Sequence, residues 1–185
     1  MTQGPQENEI KLAVADAVAG RSLLRRAGFR VARRRVFEAN TVFDTPKLAL
    51  RRTSRLLRVR EAGRAVTLTF KGRPLPGPHK KREEIETSLS DPGRFAAILA
   101  RLGFHAVFRY EKYRTEFRTG HSPGVATLDE TPIGVYLELE GPPEWIDRTA
   151  ERMGFSRRDY ITASYGRLYL DWCRQRRIQP RDMLL

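Results

Sequence analysis

The chain has 185 residues, 40% hydrophobic and 31% charged, a balance typical of a globular protein of about one domain. Its formal net charge of +13 fits either a polyanionic ligand or an arginine-rich surface, and composition alone does not separate the two. No run of about 18 apolar residues or apolar signal-peptide core is present, and the single cysteine excludes an internal disulfide, so we predict a cytoplasmic protein without membrane contact.

Alternating apolar and polar residues predict eight strands along the chain. They are predicted near residues 7–13, 30–44, 55–61, 64–71, 80–88, 106–118, 124–129 and 134–140. A tight hairpin at 61–64 joins the third and fourth strands, and a loop rich in proline and glycine at 72–79 joins the fourth and fifth.

Helical patterns fall between these strands. Three segments end in Gly-Phe, at 23–29, 98–104 and 149–155, and glycine at this position is typical of the left-handed turn that ends a helix. Before the second of them, Asp91 and Pro92 are predicted to cap and start the helix. A fourth helix is predicted after Ser164, and residues 173–185 are predicted to form a basic C-terminal tail with a loose end.

The polar faces of the predicted strands carry charges in ladders. The ladders are Glu7, Glu9 and Lys11; Arg58 and Arg60; Thr67, Thr69 and Lys71; Arg82, Glu84 and Glu86; Lys112, Arg114, Glu116 and Arg118; Thr127 and Asp129; Glu138 and Glu140. One such ladder indicates only a strand with one wet face, as in most antiparallel sheets. Eight strands, however, are enough to close a barrel, and a closed barrel could turn every charged face inward.

We therefore predict an α+β fold, in which an eight-stranded antiparallel closed β-barrel has a charged interior and helices packed outside. The prediction treats residues 1–185 as one domain with a core at about 7–172. A tunnel lined by both charge types suits a metal–polyphosphate complex. Arginine forks bind phosphate oxygens, and grouped carboxylates bind a hard cation such as Mg²⁺ or Mn²⁺.

Several motifs resemble those of the CYTH domain family, also called the triphosphate tunnel metalloenzymes. The stretch ENEIK (7–11) resembles the family's Glu-x-Glu-x-Lys signature. The motifs that follow in order are VFDTP (42–46), LLRVR (56–60), LTFKG (68–72), KREEIE (81–86), YEKYR (110–114), LDETPIGVYLELEG (128–141) and ITASYGRLY (161–169). Each motif is short, but the ordered set over about residues 7–172 is specific.

The resemblance implies a tunnel that binds a triphosphate compound together with Mg²⁺ or Mn²⁺, in a protein that could form a homodimer. It implies metal-binding roles for Glu7, Glu9, Asp129, Glu138 and Glu140. It implies phosphate-binding roles for Lys11, Arg58, Arg60, Lys71, Arg82, Lys112 and Arg114. The sequence assigns no residue to the activation of water.

Three functions stay open at this point. The first is hydrolysis of inorganic or organic triphosphate, including thiamine triphosphate. The second is a class IV adenylyl cyclase, although the bacterial cyclases usually carry a His-Phe pair shortly before the first motif and MTQGPQ lacks it. The third is a non-catalytic module, in which either the tunnel binds polyphosphate or nucleotide, or the basic exterior binds RNA through the arginine clusters at 25–35 and 174–177. Those clusters lack the stacked aromatic pattern of single-strand binders, which makes nucleic acid the less favoured partner.

Overall fold

A computed structural model describes residues 6–120 and 122–185. Eight antiparallel strands close into a barrel, as predicted. They are β1 (Gln6–Val14), β2 (Arg30–Asp44), β3 (Leu56–Ala62), β4 (Ala65–Lys71), β5 (Lys80–Ser88), β6 (His105–Arg118), β7 (Val125–Thr131) and β8 (Gly134–Glu140). Their order around the barrel is β1-β5-β4-β3-β2-β6-β7-β8, so the first strand lies between the fifth and the eighth.

Five α-helices and one short 3-10 turn are found in the described residues. They are α1 (Ala17–Arg26), α2 (Ala49–Arg52), α3 (Pro92–Arg101), α4 (Pro143–Arg152), α5 (Tyr165–Arg176) and the turn Arg157–Asp159. The sequence pattern predicts only four helices, because the single turn of α2 is too short to show a helical period. The Asp44 carboxylate stabilises this turn by accepting the N–H groups of Leu50 and Arg51, both at 2.9 Å. None of the helices has both the length and the apolarity that a membrane crossing requires.

The three predicted Gly-Phe helix ends share one geometry. Gly28, Gly103 and Gly154 have φ angles of +83°, +82° and +87°, in the left-handed region. In each case the following phenylalanine N–H returns to a carbonyl five residues earlier, as from Phe29 to Leu24 at 2.9 Å. The predicted cap is also present, since the Asp91 carboxylate accepts the Arg94 N–H at 2.8 Å.

The apolar faces of the strands point outward and the helices cover them. Ile10, Leu12, Leu137 and Leu139 are fully buried on the outside of the barrel, where they form one cluster with Ile146 and its neighbours on α1 and α4. Burying each such side chain stabilises the fold by roughly 1.5–3 kcal/mol. Because this cluster lies outside the strands, the hydrophobic core is between the barrel and the helices. The inside of the barrel is thereby left to polar and charged side chains.

The end of the chain is held against the barrel, so the prediction of a loose terminus is wrong. Strand β7 pairs with β6 only at Tyr113–Phe117, which leaves backbone groups of β6 before that point without a strand partner on this side. Met183 fills part of the gap, because its carbonyl accepts the Glu111 N–H and its N–H donates to the Arg109 carbonyl, both at 2.9 Å. The Met183 side chain is 1% exposed. Unpaired backbone groups at a barrel edge favour such a partner, and hydrophobic patterning does not reveal it.

Candidate functional site

The barrel interior contains a cavity of about 130 Å³ whose wall is dominated by charge. Eight basic and six acidic side chains line it: Lys11, Arg58, Arg60, Lys71, Lys80, Arg82, Lys112 and Arg114, with Glu7, Glu9, Glu84, Glu86, Glu138 and Glu140. Eleven of the twelve residues singled out from the sequence are among them. The exception, Asp129, lies behind the wall and is 0% exposed.

Strand β1 places two carboxylates opposite two bases of β5. Glu7 faces Arg82 and Glu9 faces Lys80 in the β1–β5 register. The Glu7 carboxylate accepts Lys71 Nζ at 2.7 Å and Arg82 Nε at 3.3 Å, while Glu9 accepts Lys80 Nζ at 2.6 Å. Burial lowers the pKa of Lys80 to about 8, although the nearby Glu9 carboxylate favours its charged form. These ion pairs hold the charged chains in place inside the barrel.

Asp129 forms a second, fully buried cluster of contacts. Its carboxylate accepts Lys112 Nζ at 2.6 Å, Arg114 Nη2 at 2.6 Å and the Tyr165 hydroxyl at 2.7 Å. Burial alone would raise the pKa of Asp129, but the charges of Arg114 and Lys112 outweigh it and hold the pKa well below its usual range. Arg114 also donates to Glu138. Asp129 thus orients two predicted phosphate-binding residues, and its direct role in metal binding stays a prediction.

Tyr165 is a site residue that the sequence does not identify. It comes from the first turn of α5 and lies over the cavity, with the Lys11 and Lys112 Nζ atoms 5.1 and 4.9 Å from its ring centroid. It falls at the start of the helix predicted after Ser164, where nothing in the sequence distinguishes a site residue from a core residue. Lys80 is also missed, although it lies in the same two-residue period as Arg82 and could have been found by extending that ladder.

Three arginines crowd together within the tunnel wall. Arg58 and Arg60 have only long ion pairs, to Glu86 and Glu38, each at 3.5 Å. Burial lowers the pKa of Arg60, and the like charges of Arg58 and Arg114 lower it further. The buried Nε of Arg58 has no hydrogen-bond partner among the described residues. A phosphate group would supply the acceptor and the negative charge that this cluster lacks.

A group of carboxylates in the same cavity has an excess of negative charge. Burial, reinforced by the Glu7 charge, raises the pKa values of Glu84 and Glu140 to about 7, even though Lys71 favours the charged form of both. Their oxygens are the donors that Mg²⁺ and Mn²⁺ prefer, and a divalent cation would relieve their repulsion. Within the described residues, no three Asp, Glu, His or Cys side chains already form a ready ligand set. The donor chemistry therefore fits a metal that binds by drawing carboxylates away from their present contacts.

These shifts predict how stability depends on pH when no metal is present. The folded-state pKa values of Glu84 and Glu140 lie near 7 rather than 4.5. Their contribution to the free energy of unfolding is therefore complete below pH 4.5 and is lost as the pH rises to 7. Glu38, whose pKa falls to about 2 because its basic neighbours outweigh burial, loses its contribution only below pH 4.5. We therefore expect the melting temperature in a chelator to fall as the pH rises from about 4.5 to about 7.

Thermal unfolding of wild type beside the double variant Glu84→Gln/Glu140→Gln measures this effect. The variant should show a flatter profile, because it lacks the two groups that titrate in this window. A wild-type profile as flat as that of the variant would contradict the assignment.

Comparison with known proteins adds a family match. A family model described as the CYTH domain matches residues 5–165. A protein of Methanocaldococcus jannaschii named "Putative adenylate cyclase MJ0240" is 29% identical over 135 residues, covering 72% of this chain and 75% of that protein.

Solved structures share the fold at lower identity. A structure from Vibrio parahaemolyticus, described as a "putative adenylate cyclase", has a TM-score of 0.75 and 21% identity, and covers 90% of this chain and 98% of its own. A structure from Hippeastrum, described as a "putative adenylyl cyclase" with a dominant triphosphatase activity, has a TM-score of 0.65 and 20% identity, with coverage of 89% and 95%. At these identities the structures support a common fold.

Proposed function

Because the chain belongs to the CYTH domain family, we propose that it hydrolyses a triphosphate compound in its tunnel with the help of a divalent metal ion. One observation gives this proposal its strongest support. Eight basic side chains converge on one cavity, and within it the charges of Arg58 and Arg114 disfavour the charged form of Arg60. An anion with several charged oxygens is the ligand that balances such a wall.

The bases would orient the triphosphate. Arg58 is already held by Tyr110 and Thr69, whose oxygens lie 3.2 and 3.1 Å from its Nη atoms. This fixes the guanidinium plane and leaves Nε free to donate to a phosphate oxygen. Cation–π contacts with the Tyr165 ring help to orient Lys11 and Lys112. Since these groups are ordered by their neighbours, little rotamer entropy is lost when the substrate binds.

The carboxylates would hold the metal. We propose Glu7, Glu9, Glu138 and Glu140 for this role, with Glu84 as an addition and Asp129 as the member furthest from the cavity. Bound Mg²⁺ or Mn²⁺ supplies charge neutralisation at the phosphate oxygens. Glu7, Glu9 and Glu138 among them hold Lys71, Lys80 and Lys11 in place through ion pairs when the metal is absent.

Adenylyl cyclase is the second candidate, because all three relatives described above are named as putative adenylate or adenylyl cyclases. In that reaction the 3′-hydroxyl of ATP displaces pyrophosphate from the α-phosphorus, whereas in hydrolysis water attacks the terminal phosphorus and releases orthophosphate. The Hippeastrum neighbour, whose description combines a cyclase name with a dominant triphosphatase activity, supports placing hydrolysis first.

The test is a panel of inorganic triphosphate, thiamine triphosphate and ATP, each with Mg²⁺ or Mn²⁺, with all products identified. We expect inorganic or organic triphosphate to give orthophosphate and the shortened product, and ATP to give no cyclic AMP. Cyclic AMP with equimolar pyrophosphate from ATP would replace this proposal by the cyclase. Tight triphosphate binding with no turnover of any compound would leave a binding module.

A further inference from the structure

A cluster of four side chains on the outside of the barrel takes no part in the proposed chemistry. At its centre is the carboxylate of Asp147 on α4. It accepts hydrogen bonds from His79 Nε2 at 2.7 Å, from the Tyr160 hydroxyl at 2.9 Å and from Arg157 Nη2 at 2.6 Å. Because an ionised carboxylate can only accept, His79 Nε2 carries the proton in its pair. Three separate segments of the chain are thus joined at one acidic group.

The acceptor of this cluster is held in its charged form. Burial alone would raise the pKa of Asp147, but the hydrogen bonds of its three donors outweigh burial and lower the pKa. Burial and the Asp147 carboxylate raise the pKa of Tyr160, so the Tyr160 hydroxyl keeps the proton that it donates. His79 is 8% exposed, whereas the Arg157 side chain is 68% exposed and lies on the solvent side. The two inner contacts are therefore charge-assisted hydrogen bonds away from water.

Strand β1 changes its neighbour on one side near this cluster. Strand β5 pairs with it from Gln6 to Glu9, and Glu9 faces Lys80 in this register. At Lys11 the neighbour is Ile161, which exchanges two backbone hydrogen bonds of 2.9 Å with it. Two segments that are distant in the sequence thus cover the same edge of β1, and a junction lies between them.

The cluster links the two segments at this junction. His79 directly precedes Lys80, and Tyr160 directly precedes Ile161. Their side chains bond to the same carboxylate, and the two rings lie 5.8 Å apart. Asp147 therefore connects the start of β5 to the segment that takes its place along β1. We call His79, Asp147 and Tyr160 the junction clamp.

Each side of the junction carries a cation of the tunnel wall. Lys80 and Lys11 both line the cavity, where their Nζ atoms lie 2.6 and 3.4 Å from the Glu9 carboxylate. Residues 73–78 of the loop before β5 are mostly exposed, and His79 is the buried residue at which this loop meets the barrel. Movement of either segment along β1 would displace one of these cations relative to the other.

We propose that the junction clamp positions Lys80 and Lys11 for triphosphate binding, with Asp147 as its central positioning residue. The inference rests on the proposed function of the cavity. A clamp with a purely structural role would stabilise the fold without changing the affinity of the folded protein. A positioning clamp changes the affinity itself, because binding would otherwise have to restore the placement of the two lysines.

Calorimetric titration with inorganic triphosphate and Mg²⁺ tests this without requiring turnover. His79→Phe keeps a ring but removes the donor, and Asp147→Asn removes the charge of the acceptor. We expect each to raise the dissociation constant about tenfold at unchanged stoichiometry, as for one lost hydrogen bond to a charged group. In hydrolysis, KM should rise by the same factor and kcat should stay within about twofold, as for a contact made equally in the ground and transition states.

Two variants of the same cluster serve as controls. His79→Gln retains an N–H donor and should bind triphosphate within about twofold of wild type, which would show that the donor and not the ring matters. Arg157→Gln removes the exposed contact to the same carboxylate and should change the dissociation constant less than about twofold.

Amide hydrogen exchange follows the junction without any ligand. The backbone N–H groups of Lys11 and Ile161 should exchange faster in His79→Phe and Asp147→Asn than in wild type, and unchanged exchange would overturn the clamp. Faster exchange with an unchanged dissociation constant, or a lower stoichiometry alone, would reduce the clamp to a structural contact and overturn the proposal. If wild type binds triphosphate without hydrolysing it, the proposed hydrolase fails while the dissociation constants still decide on the clamp.

Discussion

Asp129→Asn is expected to lower the free energy of unfolding by about 3–5 kcal/mol, because it leaves two buried cations without their carboxylate partner. The substitution preserves shape but removes the only charge that lies within 2.6 Å of both Lys112 and Arg114. It also turns an amide toward two cationic donors in a site that is 0% exposed. Urea unfolding at neutral pH measures the effect.

Two further variants make the Asp129 result interpretable. Tyr165→Phe removes only the third contact, the hydroxyl at 2.7 Å, and should cost about 1 kcal/mol. Asp171→Asn breaks two exposed ion pairs on α5 and should change stability by less than about 0.5 kcal/mol. Because the pKa of Asp129 is held low in the folded state, its contribution is present above pH 3.8 and is lost as the pH falls further. The difference in unfolding free energy between wild type and Asp129→Asn should then become smaller in acid. A small difference at pH 7 would contradict the role of Asp129 in holding the buried cluster together.

Glu140→Gln is expected to reduce triphosphate hydrolysis by at least on the order of 100-fold, about 2.7 kcal/mol of transition-state stabilisation. The reason is that a neutral amide oxygen is a weaker metal ligand than a carboxylate. The metal-free variant should nevertheless be more stable than wild type at about pH 8, because burial and the Glu7 carboxylate disfavour the charged form of Glu140. Phosphate release measures the loss of hydrolysis, and thermal unfolding of the same preparations measures the gain in metal-free stability.

Glu61→Gln is the matched control, because Glu61 is an exposed residue on β3. It should leave both activity and melting temperature near wild type. A fully active Glu140→Gln would remove this residue from the metal site, and a destabilised one at about pH 8 would contradict the repulsion among the carboxylates.

Much of the interior could be predicted from the sequence because a strand has a strict two-residue period. Once the barrel closes, Glu7, Glu9 and Lys11 must share a face, and the same holds for Arg58 with Arg60 and Glu138 with Glu140. Alternation does not say how far a side chain reaches. Asp129 follows the period and still lies behind the cavity wall, because Lys112 and Arg114 draw it into contact.

The features that the sequence does not reveal depend on contacts between distant segments. Tyr165 enters the site because α5 begins over the tunnel, and Met183 is buried because β7 leaves part of β6 uncovered.

The position of β1 between β5 and β8 has a consequence for how the protein folds. Its register with Lys80–Glu83 and with Val135–Glu140 joins residues more than 60 positions apart, so we expect β1 to pair with both partner strands late in folding. Such distant pairing makes folding slow, because loop entropy is lost before the contacts form. Glu7, Glu9 and Lys11 lie on this strand, so we expect the proposed phosphate- and metal-binding groups to come together only when β1 docks and the barrel closes.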